Sequence, residues 1–274
     1  MVTDLADEKA AAPPQPLPVF FNRIEVLDPA KHAHLKLHRG SGFRFAAKAN
    51  SISLCLQEIV AAADFYPIVF AEAALTPLAV VGCRDGENAL VDSNGRWHSG
   101  VYIPAYLRAW PFIPIPTATP EKVAMGFEPD SDHLRADEGV PLFDDKGQPG
   151  AMLKELAGLA LSYRNNLAET REFVQALDDA GLLHKRGATL KFRSGNSVQA
   201  GGFKALDPAK CETLSEDAIL AFHRRKWLPM LFAILRSSVR WSQLIDLAEM
   251  HQRPVRADSV NGGFNVADSV PSGQ

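Results

Sequence analysis

The sequence predicts an α+β fold, with an antiparallel β-meander-rich N-terminal half packed with two or three C-terminal α-helices. Three observations carry this prediction. Between residues 66 and 98, short β-branched and aromatic runs are punctuated by Asp85-Gly86 and Asn94-Gly95, dipeptides that accept the positive φ angles of tight hairpin turns. From Ala151 to Gly181 no proline occurs, and Leu153, Leu156, Ala160, Tyr163, Leu167, Phe173, Val174 and Leu177 recur at helical spacing. Between the two regions lies "PFIPIPTATPEKVAMGFEPDSDHL", too rich in proline for a helix and suited to edge strands and irregular turns.

The elements follow in order. In "KHAHLKLHRG", His32, His34, Lys36 and His38 alternate with Ala33, Leu35 and Leu37, which predicts a half-buried strand ending at Gly40. "GFRFAAKANSISL" predicts one or two short strands with Phe43 and Phe45 on one side. "SLCLQEIVAAADF" reads as a short helix with Ser53 as its N-cap. "YPIVF", "PLAVVGC" and "NALVD" are the three strands of the meander. In "SGVYIPAYLRAWPF", Pro104 and Pro111 confine any helix to about residues 104–110. Tyr106 and Trp110 then share a face.

"PLFDDKGQPG" is a turn-dense connection, and the long helix after it stops at Gly181. "ATLKF" returns to the sheet and "SGNSVQAGG" is a loop. Ser215 caps a helix whose first turn carries Glu216 and Asp217. Pro229 separates it from the helical "MLFAILRSSVRWSQLIDLAEMHQ". The expected organisation is a disordered lead (1–18), a single domain (19–252) and a flexible tail (253–274).

Composition excludes several classes of function. With 29 basic and 32 acidic residues the net charge is −3, against the basic excess of a dedicated nucleic-acid binder. No apolar run approaches the roughly 20 residues that span a bilayer. The N-terminus carries acidic residues where a secretory signal has positive charge. Cys55, Cys83 and Cys211 are odd in number and in no metal spacing, as expected of buried, reduced thiols in a cytoplasmic protein.

Candidate chemistry is sparse. His32-x-His34 with His38 puts imidazoles on one face of the expected strand, a spacing used by metal sites. No third or fourth ligand is identifiable, and Lys36 and Arg39 beside them favour a solvated charged face. Asp85, Glu87, Asp92, Asp144 and Asp145 suit turns for backbone reasons. There is no phosphate-binding glycine loop, nucleophile elbow or thiol-protease signature. "FHRRKW" is a basic cluster at a helix end, where cations also relieve the helix dipole without any ligand. The aromatic stretch combines large buried area with polar tips. Core packing is the leading role for most of its rings, and a pocket wall the alternative. The expected ligand-binding residues are Tyr102, Tyr106, Arg108, Trp110, Asp85, Glu87, Arg96 and Trp97, with no metal and no cofactor.

Eight segments resemble the SapC family of bacterial proteins: "KHAHLKL", "GFRFAAKANSISL", "EIVAAADFYPIVF", "VVGCRDGENALVDSNGRW", "YIPAYLRAWPF", "PLFDDKGQP", "TREFVQALDDAGLL" and "LSEDAILAFHRRKWLPMLFAILRSS". They run in order from about residue 20 to 245. The resemblance implies an association with surface-layer or outer-envelope systems, but neither an agreed activity nor established catalytic residues. The resulting expectation is a cytoplasmic accessory protein that binds a protein partner or small molecule. The alternative is a metal-dependent enzyme using the His32/His34 strand or the carboxylates near Asp85.

Overall fold

A computed structural model describes residues 17–250, apart from 39, 41, 75 and 118–122, together with residues 262–263. The expected lead and tail therefore lie outside the described residues, except for 17–18 and 262–263. In chain order the elements are β1 (Glu25–Val26), α1 (Pro29–His32), β2 (Lys36–Leu37), β3 (Ser51–Ser53), α2 (Ile59–Ala62), β4 (Ile68–Ala71) and β5 (Pro77–Val80). Next come α3 (Ala105–Arg108), β6 (Phe112–Pro116), β7 (Val123–Phe127), β8 (Leu134–Arg135), β9 (Val140–Pro141) and α4 (Ala151–Asp179). The last group is β10 (Leu183–Lys191), β11 (Ser197–Leu206), α5 (Pro208–Glu212), α6 (Glu216–Arg224), α7 (Leu228–Ser237), α8 (Arg240–Met250) and β12 (Gly262–Gly263). Short 3₁₀ turns at Arg44–Ala46 and Leu56–Glu58 complete the N-terminal half.

The α+β expectation holds. The principal sheet has the order β10-β11-β4-β5-β3, all antiparallel, with β12 added to β11. Two smaller antiparallel sheets, β1-β7-β6 and β8-β2-β9, belong to the segments around the proline-rich stretch. The main core joins Ile52, Val69, Phe70, Leu78 and Val80 of the sheet to Phe173, Val174 and Leu177 of α4 and to Leu231 and Ile234 of α7. Two hydroxyls bolt the layers together. Ser237 of α7 accepts from the Ile68 amide at 3.0 Å and donates to the Ile234 carbonyl. Thr170 of α4 accepts from the Leu56 amide at 2.9 Å and donates to the Asn166 carbonyl.

Several local expectations are met. Gly86 and Gly95 have φ of 69° and 80° in the two turns, Gly181 ends α4 with φ 65°, and the Ser215 hydroxyl caps the Ala218 amide. Others are corrected. "KHAHLKLHRG" is not one strand, because Asp28 caps the Ala30 amide and Pro29 starts a helix that ends at His32. Only Lys36 and Leu37 remain in a strand. Ser53 lies inside β3, and Cys55 takes the cap position before the Leu56–Glu58 turn. Phe43 and Phe45 flank Arg44 at a 3₁₀ turn instead of lying on strands.

"NALVD" is not a strand either; a single bridge, Val91 to Trp97, remains. The Asn88 side chain accepts from the Leu90 amide and donates to the Ala46 carbonyl, local bonds that compete with a ladder. The "SGNSVQAGG" loop is a turn only at its start, since Ser197 onward forms β11. Its polar and glycine residues are held there by β10 across the hairpin.

Candidate functional site

The proline-bounded stretch folds as its sequence requires. Pro104 is extended (φ −53°, ψ 143°) and opens α3, and Pro111 follows Trp110 through a cis peptide bond. Beneath α3 lies a carboxylate that residue spacing did not single out. Glu58 is 5% exposed. Its Oε1 accepts from the Cys55 amide at 2.9 Å, and its Oε2 accepts from the Ala105 amide at 2.7 Å and the Tyr102 hydroxyl at 3.0 Å. Burial pushes the Glu58 pKa above its ordinary value, and these hydrogen bonds oppose the shift.

Above Glu58 the network reaches solvent. Arg108 donates to the Tyr102 hydroxyl at 3.2 Å, with its guanidinium carbon 5.5 Å from the Tyr102 ring centroid. Burial, then the Glu58 charge, pushes the Tyr102 phenol up to about 12. The Tyr66 hydroxyl donates to the Tyr102 carbonyl. Arg108 is exposed and has no carboxylate partner among the described residues.

The remaining predicted site residues divide between one aromatic cluster, which holds Tyr106, Trp110 and Trp97, and two surface turns. Trp110 is 8% exposed and stacks on Phe45 at 4.5 Å, with the edges of Phe20 and Phe21 against it. The Tyr106 hydroxyl donates to the Val19 carbonyl at 2.6 Å, and its ring packs between Phe20 and Tyr163. A cavity of about 20 Å³ beside Tyr106, Tyr163 and Arg164 has room for about one water. Trp97 is buried against Phe43, and Phe43 and Phe45 connect it to Trp110 in a continuous run of rings. Arg96 pairs with Asp92 at 3.1 Å. Asp85 and Glu87 sit on another turn, where Glu87 pairs with Arg84 and Arg84 lies over Phe192.

The histidines are dispersed. His32 Nδ1 accepts from the Asp28 amide, His34 is exposed, and His38 Nδ1 lies 3.2 Å from Glu138. Among the described residues no three His, Cys, Asp or Glu side chains are gathered for a metal. Cys55 and Cys83 are buried and desolvation pushes both thiols up to about 12, whereas Cys211 is only partly buried, contrary to expectation. No helix among the described residues is long and apolar enough to cross a membrane.

These features define an α+β protein with a buried carboxylate bracing an arginine-bearing surface turn. The chain belongs to the SapC family, whose model matches residues 27–244. No curated protein and no solved structure matches it.

Proposed function

We propose that this chain is a cytoplasmic binding protein, an accessory component of a bacterial surface-layer or outer-envelope system, and that it engages an anionic group of its partner through Arg108. One observation supports the reading above the rest. An exposed guanidinium with no carboxylate partner among the described residues donates to Tyr102, which is itself fixed by buried Glu58. Preorganised arginines beside aromatic side chains dominate the energetics of many interfaces, because little side-chain freedom is lost on binding. The net charge of −3 fits a protein or small-molecule partner better than nucleic acid.

The test is capture by the immobilised full-length chain from a lysate of the source bacterium, compared with Arg108→Glu. The variant should melt at the wild-type temperature and lose its specific partner by about thirtyfold, the factor equivalent to roughly 2 kcal/mol of a hot-spot contact. A partner retained at wild-type level by a folded Arg108→Glu protein refutes the proposal.

A further inference from the structure

The β10–β11 hairpin is longer than the sheet it joins. β11 runs from Ser197 to Leu206, yet β4 pairs with it only at Phe203 and Lys204. From Ser197 to Gly202 the edge of β11 turned away from β10 extends beyond β4. Such an edge presents a row of backbone donors and acceptors that recruits another strand. One is seated there: Gly262 and Gly263 of β12 pair in parallel with Ala200 and Gly201.

The parallel direction follows from α8. Its last two turns are fastened to the tip of the hairpin, where Arg193 donates to Asp246 at 2.9 Å and the Ser194 amide donates to Glu249 at 3.0 Å. The chain thus leaves Met250 beside the tip, from which β11 runs away toward Leu206. A segment that continues from there along that edge without reversing travels with β11, as Gly262–Gly263 does. The eleven residues 251–261 span at most about 40 Å when extended. Ala200 lies six residues beyond Ser194, roughly 20 Å along a strand, well within reach. The pairing residues are all small, so recognition rests on main-chain hydrogen bonds and not on side-chain pockets.

We infer that the overhanging edge of β11 is a strand-acceptor site, and that its occupant is the chain's own C-terminal segment around Gly262–Gly263, docked in cis. This site is separate from the Arg108 surface and stands independently of its proposed role. It protects a sheet edge that is otherwise a template for intermolecular pairing.

Hydrogen exchange on the full-length chain tests it, with wild type compared to the double variant Gly262→Pro, Gly263→Pro. Proline removes the amide and disfavours the ladder at both positions. The amides of residues 197–202 that face away from β10 should exchange about tenfold or more faster in the variant. Those of α4 and β4 should be unchanged and serve as the folding control. Equal exchange in the two proteins overturns the inference. So does wild-type protection that grows with protein concentration alongside a dimer in light scattering, which makes a second copy the occupant.

Discussion

Replacing Glu58 by Gln probes the brace beneath Arg108 with minimal change in shape. Both carboxylate oxygens accept backbone amides, Cys55 on one and Ala105 on the other. A glutamine must therefore turn its NH₂ toward one of these donors. One buried amide left unsatisfied costs about 1–3 kcal/mol. For a domain of this size each kcal/mol corresponds to about 2–4 °C, so the melting temperature should fall by about 2–12 °C at neutral pH. Urea titration followed by tryptophan fluorescence gives the free energy, with buried Trp97 and Trp110 as reporters.

The pH dependence adds a signed test. Burial raises the folded-state pKa of Glu58 above the ordinary value of 4.5. Wild type should therefore gain stability relative to Glu58→Gln as pH falls from neutral through that raised value, and the difference should level off below about 4.5. Other carboxylates are shared by both proteins and cancel in the comparison. A gap that narrows on acidification shows that the hydrogen bonds hold the pKa below normal, and it refutes the assignment of desolvation as the larger effect. A variant as stable as wild type refutes the brace itself.

Two further substitutions test the packing. Trp110→Ala should lose about 3–5 kcal/mol of unfolding free energy in urea, because its ring is enclosed by Phe20, Phe21 and Phe45. A loss under 1 kcal/mol would mean that the ring faces a pocket instead. Ser237→Ala strands the Ile68 amide between α7 and β4, and should cost about 1–3 kcal/mol by the same titration.

What was legible in the sequence was local. The strands "YPIVF" and "PLAVVGC" carry their own β-branched signature, Asn94-Gly95 its own turn, and Gly181 its own helix stop. The failures arise where two local signals compete or where the decisive partner is distant. Alternation in "KHAHLKL" argued for a strand, but the Asp28-Pro29 start signal immediately before it prevailed. The first half of β11 continues a Ser-Gly-Asn-Ser run and contains Gly201 and Gly202, which reads locally as loop; its pairing with β10 and β4 makes it a strand.

Glu58 was missed because a glutamate in "LQEIV" resembles any exposed helical residue. Its burial depends on Tyr102 and Ala105, 44 and 47 residues away. The one local clue was the Cys55-x-x-Glu58 spacing of a capping box. In the aromatic stretch, the prolines bound α3 within residues 104–110, although it is only the single turn Ala105–Arg108, and only the packing assigned Trp110 to the interior and left Arg108 at the surface.

The recurring part of this family and its physical unit do not share their limits. Phe21 abuts Trp110, the Val19 carbonyl receives the Tyr106 hydroxyl, and Glu128 accepts the amides of Asn22 and Arg23. All four N-terminal contributors precede residue 27, where the family match begins. Fully buried Ala248 follows residue 244, where it ends. A fragment cut to 27–244 would open the tryptophan's flank to water, strip a buried carboxylate of two amide donors and remove a core residue of α8. Expression trials and comparisons among relatives are therefore best framed from about residue 17 onward, with the flanks treated as parts of the folded body.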